Sequence, residues 1–181
     1  MLKRLLDRLR PGSDPQVPLY EAIVAAARQP RLYADWGVPD TPAGRIEMVA
    51  VHTAIVTHAL MALGPVGEAR ARAVCERYVT DMDDNMREIG VGDLTVPRKV
   101  KKAAAAVYDR VAAVGRVAEA ATEADQVREA GNLVTLDSGT ERLDRDGLGR
   151  YFSRLVKTIA DFDRAHLLAP DAAIPLLASE I

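Results

Sequence analysis

The chain has 181 residues, 49% apolar and 28% charged, which suits one soluble domain with one core and requires no second domain. Aromatic residues make up only 4%, so alanine and small aliphatic side chains must fill that core, a composition that favours close-packed helices. A formal charge of −2 argues against a general nucleic-acid binder, and the single Cys75 excludes an internal disulfide and any multi-cysteine metal site.

Residues 2–10 place Leu2, Leu5, Leu6 and Leu9 on one face, with Lys3, Arg4, Arg8 and Arg10 around it. This is a basic amphipathic helix, read either as a foot on a membrane surface or as a cap on the protein's own core. It lacks the apolar run and cleavage site of a secretory signal, and no stretch is long enough to span a bilayer. A cytoplasmic protein is expected, touching a membrane from its surface if at all. Residues 11–15 form a linker, and residues 18–28 a short helix with Leu19, Ile23 and Ala26 or Ala27 inward.

Residues 30–40 read as a compact loop holding the only tryptophan, Trp36, beside Tyr33. These rings either plug the edge of the core or face a partner. Thr41 and Pro42 then cap and open a helix to about Leu63, whose stripe of Ile46, Val49, Thr53, Val56, Leu60 and Leu63 suits lengthwise packing in a bundle. His52 and His58 are six apart and do not share a face, so structural roles are expected for both.

A turn at residues 64–67 leads to a helix in which Cys75, Val79, Met82, Met86 and Ile89 share one stripe. Gly90 stops it. Gly92, the candidate caps Asp93 and Thr95, and Pro97 make the following segment a helix-loop-helix joint. The next long helix carries Val100, Ala104, Val107, Val111, Val114, Ala118 and Ala121 inward. A shorter helix covers about residues 123–133, a polar loop residues 137–147, and Leu148, Phe152, Leu155, Ile159 and Phe162 mark a last amphipathic helix. The tail after Pro170 is apolar and broken by Pro175, and is expected either to dock on the body or to meet a partner. The expected fold is an all-α single-domain bundle of about six to seven helices. Residues 1–17 form its basic N-terminal segment, 18–168 the helical domain and 169–181 the tail.

The charges of the joint allow three readings. Asp81, Asp84 and Glu88 line one face and could bind a divalent cation, as in a metal-dependent all-α enzyme. The calcium-loop template fails, because Met86 and Gly92 stand where glycine and glutamate are needed, and the second acidic cluster of all-α isoprenoid synthases is missing. Alternatively Arg98, Lys99, Lys101 and Lys102, which oppose the helix dipole, pair with Asp84 and Glu88 across a hairpin. In the third reading they stay free for a membrane or an acidic partner. No nucleophile–base set, Walker loop, CxxC or HExxH occurs, so the residues point to a helical binding protein for which no metal or cofactor is expected, with the metal-dependent enzyme or a generic adaptor as alternatives.

Residues 20–28, 32–48 and 81–102 occur in the order of, and resemble, the ubiquinol–cytochrome c chaperone family, which includes the mitochondrial cytochrome b assembly factors. The joint from Asp81 through Gly90, Gly92 and Pro97 to Lys102 is the most specific part of the likeness, which covers roughly residues 18–165. The resemblance implies an assembly chaperone of the cytochrome bc1 complex that binds newly made cytochrome b without catalysing a reaction. A bacterial member on the cytoplasmic face of the inner membrane is expected, monomeric or weakly self-associating, with no nucleic-acid partner. Its partner-binding candidates are Tyr33, Trp36, Arg45, Arg87, Asp93, Arg98, Lys99 and Lys102. Lys3, Arg4, Arg8 and Arg10 are the membrane-contact candidates.

Overall fold

The computed structural model describes residues 16–88, 90, 92, 94–169, 172 and 174. The N-terminal segment with Lys3, Arg4, Arg8 and Arg10, the linker, Asp93 and most of the tail lie outside the described residues. The described residues form helices and no strand: α1 (Gln16–Ala27), α2 (Pro30–Ala34), α3 (Pro42–Met61), α4 (Pro65–Glu88), α5 (Val96–Glu119), α6 (Glu123–Gly131), α7 (Arg145–Ala160) and α8 (Arg164–Leu168). Six of these are long enough to build the bundle, and α2 and α8 have only five residues each.

α3 is the axis of the molecule, packed against α1, α4, α5 and α7. Its start follows from local chemistry, since the Thr41 hydroxyl accepts the Gly44 N–H at 3.2 Å and Pro42 opens the first turn. The expected stripe is only part of what it buries: every residue from 47 to 57 is buried, because Met48, Val51 and Ile55 fill the other sides. His52 belongs to this interior. The Met48 carbonyl can only accept, so His52 Nδ1 carries the proton and donates at 2.7 Å, leaving Nε2 to accept from the Tyr151 hydroxyl at 2.7 Å. Burial pushes the ring's pKa down to about 4, so it is neutral at physiological pH.

Two expectations are corrected. Residues 30–34 of the predicted loop are helical, because Pro30 starts a turn that sends Leu32 into the core. On α5 the buried positions are Val96, Val107, Arg110, Val114 and Val117, while Ala118 and Ala121 are exposed and Val111 only half-buried. The register turns toward Arg110 because Glu47 waits opposite on α3. The Arg110 Nη2 lies 2.6 Å from both Glu47 carboxylate oxygens, and the same guanidinium donates to the Leu133 and Ala106 carbonyls. This pair ties α3, α5 and the chain after α6 together. At the other end, Arg70 donates to the Leu168 and Ala169 carbonyls at 2.9 and 2.7 Å, and Ala172 and Ile174 join the core.

Candidate functional site

The turn after α2 is built on Trp36, which is 6% exposed. Its ring lies 5.3 Å from that of Tyr151, and its carbonyl accepts the Asp144 N–H at 2.9 Å. The indole rests on Gly147, where an added Cβ would come within 2.5 Å of the ring, so only glycine lets α7 approach this closely. The Arg31 guanidinium covers the outer side at 5.7 Å from the ring centroid while bonding Asp35 at 2.8 Å. Trp36 is therefore the strut beneath the loop.

The surface carried by that strut begins at Tyr33. Its hydroxyl donates to the Ala27 carbonyl at 2.7 Å, and burial pushes the phenol up to about 12. Tyr33 and Arg45 line an open cleft of about 510 Å³ with Arg28, Pro30, Ala34 and Asp40. A second cleft of about 180 Å³ adjoins it, floored by Ile46, Val49 and Met82 and edged by Asp81 and Asn85. Both are lined by Arg28 and Arg45. Arg45 is steadied by Asp40 at 2.6 Å, and that guanidinium holds the Asp40 carboxyl below the usual carboxylate range. Asp81 is fixed by the Tyr20 hydroxyl, which donates at 2.8 Å. The result is a two-part groove of mixed polarity, with Tyr33 in one part, Ile46, Val49 and Met82 in the other, and two arginines shared between them.

Arg28 was not among the residues singled out from the sequence. Nothing in periodicity marks it, since a basic residue just past a helix end is an ordinary way to complement the helix dipole.

The joint continues from the groove's acidic edge. Gly90 has φ 79, and its N–H bonds the Arg87 carbonyl at 3.0 Å, ending α4 as expected. Arg87 pairs with Asp83 at 2.6 Å. Thr95 stands at the N-cap position of α5, but its hydroxyl makes no capping bond. Of the alternative readings of the basic cluster, pairing of Arg98, Lys99, Lys101 and Lys102 with Asp84 and Glu88 is absent among the described residues. Helix geometry gives the reason: Met82 and Met86 are buried, and Asp84 and Glu88 stand about 200° around the helix from Met86. Asp84 and Glu88 continue the face on which Asp81 meets Tyr20, away from α5. The four bases are exposed at the start of α5, where each opposes the helix dipole by a few tenths of a kcal/mol, roughly.

The remaining chemistry-bearing residues are structural. Among the described residues no group of three histidine, cysteine, aspartate or glutamate side chains is placed to hold a metal ion. Cys75 is buried against Thr57, and burial pushes its thiol pKa up, which makes it a poor nucleophile. His58 is half-buried on the opposite end of α3 from the groove, with its pKa lowered by burial.

Comparison with known proteins gives two results. The family model described as ubiquinol-cytochrome C chaperone matches residues 34–174. Among solved structures, the chain is similar to the crystal structure of the Cbp3 homolog from Brucella abortus, with 30% identity, 97% of each chain covered and a TM-score of 0.74. No curated protein matches the sequence.

Proposed function

Because the chain belongs to the ubiquinol–cytochrome c chaperone family, whose members serve assembly of the cytochrome bc1 complex, we propose that its client is newly made cytochrome b, held without catalysis in the Arg28–Arg45 groove. The observation that carries this reading is the pair of clefts that share Arg28 and Arg45. An apolar floor of Ile46, Val49 and Met82 suits an aliphatic client side chain, and the flanking arginines and Tyr33 suit the polar end of the same segment. Trp36 acts from beneath, and no cofactor enters the mechanism. The protein works as a monomer or weak oligomer on the cytoplasmic face of the inner membrane. Peripheral attachment to anionic lipid comes through Arg98, Lys99, Lys101 and Lys102, with Lys3, Arg4, Arg8 and Arg10 as a second contact. No helix among the described residues is long and apolar enough to cross a membrane.

The test is affinity purification of the tagged protein from gently solubilised membranes of its host, probed for cytochrome b. Recovery of cytochrome b without its mature partner subunits is expected, and Arg28→Glu with Arg45→Glu should abolish it while helicity is unchanged. Absence of cytochrome b from a folded, abundant wild-type preparation would remove the client assignment.

A further inference from the structure

The most exposed large apolar side chain of the described residues is Leu94, at 99%. The Thr95 and Val96 N–H groups both bond the Gly92 carbonyl, at 2.7 and 3.3 Å, and close a tight turn around it. Two residues on, Val96 is fully buried and Pro97 restricts the start of α5. The fold thus holds a leucine out from the end of the α4–α5 hairpin.

Beside this tip stand Arg98, Lys99, Lys101 and Lys102, all exposed and with no ion pair to another described residue. Arg98, Lys101 and Lys102 fall on the solvent side of α5, opposite the buried Val107 and Val114. The acidic groups of the joint are Asp83, Asp84, Glu88 and Asp93. Asp83 is taken by Arg87, and Asp84 and Glu88 are on the face of α4 turned away from α5.

We infer that the Leu94 turn is a membrane-insertion tip, with Leu94 entering the acyl boundary of an anionic bilayer while the basic start of α5 lies on the headgroups. This deepens the membrane placement proposed above and rests on it. A lone protruding leucine beside a cationic collar matches a surface that is apolar a few ångströms below an anionic layer. A nucleic acid would use the charges and leave the leucine in water. With an overall charge of −2, attraction to an anionic surface must come from local basic patches such as this one.

The test uses the full-length protein with a polarity-sensitive fluorophore on Leu94→Cys in a Cys75→Ser background. Its emission is expected to shift to the blue with phosphatidylglycerol-rich vesicles and not with pure phosphatidylcholine vesicles, and salt should weaken the response. In flotation with unlabelled protein, Leu94→Ser should lower partitioning about tenfold, converted from the burial of one leucine side chain. Arg98→Ser should lower it about fivefold, from roughly 1 kcal/mol per charge near the surface. Vesicle binding without a shift at position 94 would overturn the tip and leave the peripheral placement standing. No binding to either vesicle would overturn both. Preferential binding of a duplex RNA over the vesicles would reassign the basic collar and overturn insertion. Circular dichroism of each variant confirms that the fold is intact.

Discussion

Removing one partner of the Glu47–Arg110 pair tests the interior where three segments meet. The two residues are 8% and 6% exposed, so neither charge has bulk water to turn to. Arg110→Met keeps most of the apolar stem and deletes the charge, leaving the Glu47 carboxylate with the Thr135 backbone N–H as its main donor. Breaking such a pair one-sidedly costs about 3–5 kcal/mol, because the surviving charge is buried without compensation. Against a total stability of about 5–15 kcal/mol, that is a large fraction. At about 2–4 °C per kcal/mol for a chain of this size, the midpoint should fall by about 6–20 °C. Adding Glu47→Leu removes the stranded charge, and the remaining buried orphan, the Leu133 carbonyl, costs about 1–3 kcal/mol. The double variant should therefore be more stable than the sum of its singles implies, by a coupling of about 1–3 kcal/mol in urea unfolding followed by circular dichroism. Additive single effects, or a loss below about 1 kcal/mol for Arg110→Met, would refute the reasoning.

Acid should act through His52. The folded ring titrates near 4 and the unfolded one near 6.5, so the stabilisation from the neutral ring is complete above pH 6.5 and is lost as pH falls toward 4. The gap corresponds to roughly 3 kcal/mol, and His52→Gln should flatten this part of a stability–pH profile; an unchanged profile would remove His52 as its source. Gly147→Ala would drive a methyl to within 2.5 Å of the Trp36 ring and 2.4 Å of the Asp144 carboxylate. A loss of about 1–3 kcal/mol is expected, with Trp36 emission moving to the red, and unchanged emission would show that the strut can yield. Thr41→Ala should cost about 1 kcal/mol through loss of the α3 cap, measured by urea unfolding; no loss would mean that the Pro42 turn suffices.

The parts of the fold legible in the sequence are those fixed by neighbours in sequence. Thr41 with Pro42, Gly90, and the spacing of Leu148, Phe152, Leu155 and Ile159 each declare themselves within one or two helical turns, and the structure places them as read. The Glu47–Arg110 pair joins residues 63 apart. Taken singly, each looks like one more surface charge, so the register of α5 was misjudged toward its alanines. The site divides the same way. Tyr33 and Arg45 lie in one segment of the resemblance and Arg28 in another, but that all three line one groove follows only when α1, α2, α3 and α4 converge. The sequence left pairing across the hairpin and a free basic cluster equally open, because proximity across a turn does not say which way a helix is rotated, and the buried methionines decide that rotation.

The enclosure of α3 also sets a timetable for biosynthesis. Its last neighbour, α7, closes over it through the His52–Tyr151 hydrogen bond, which joins residues 99 apart. A ribosome that has released residues 1–140 has delivered an axis helix with one side still open to water. The apolar surface awaiting α7 is the kind that binds generic folding factors. Completion of this fold therefore waits until α7 has emerged behind the other five bundle helices.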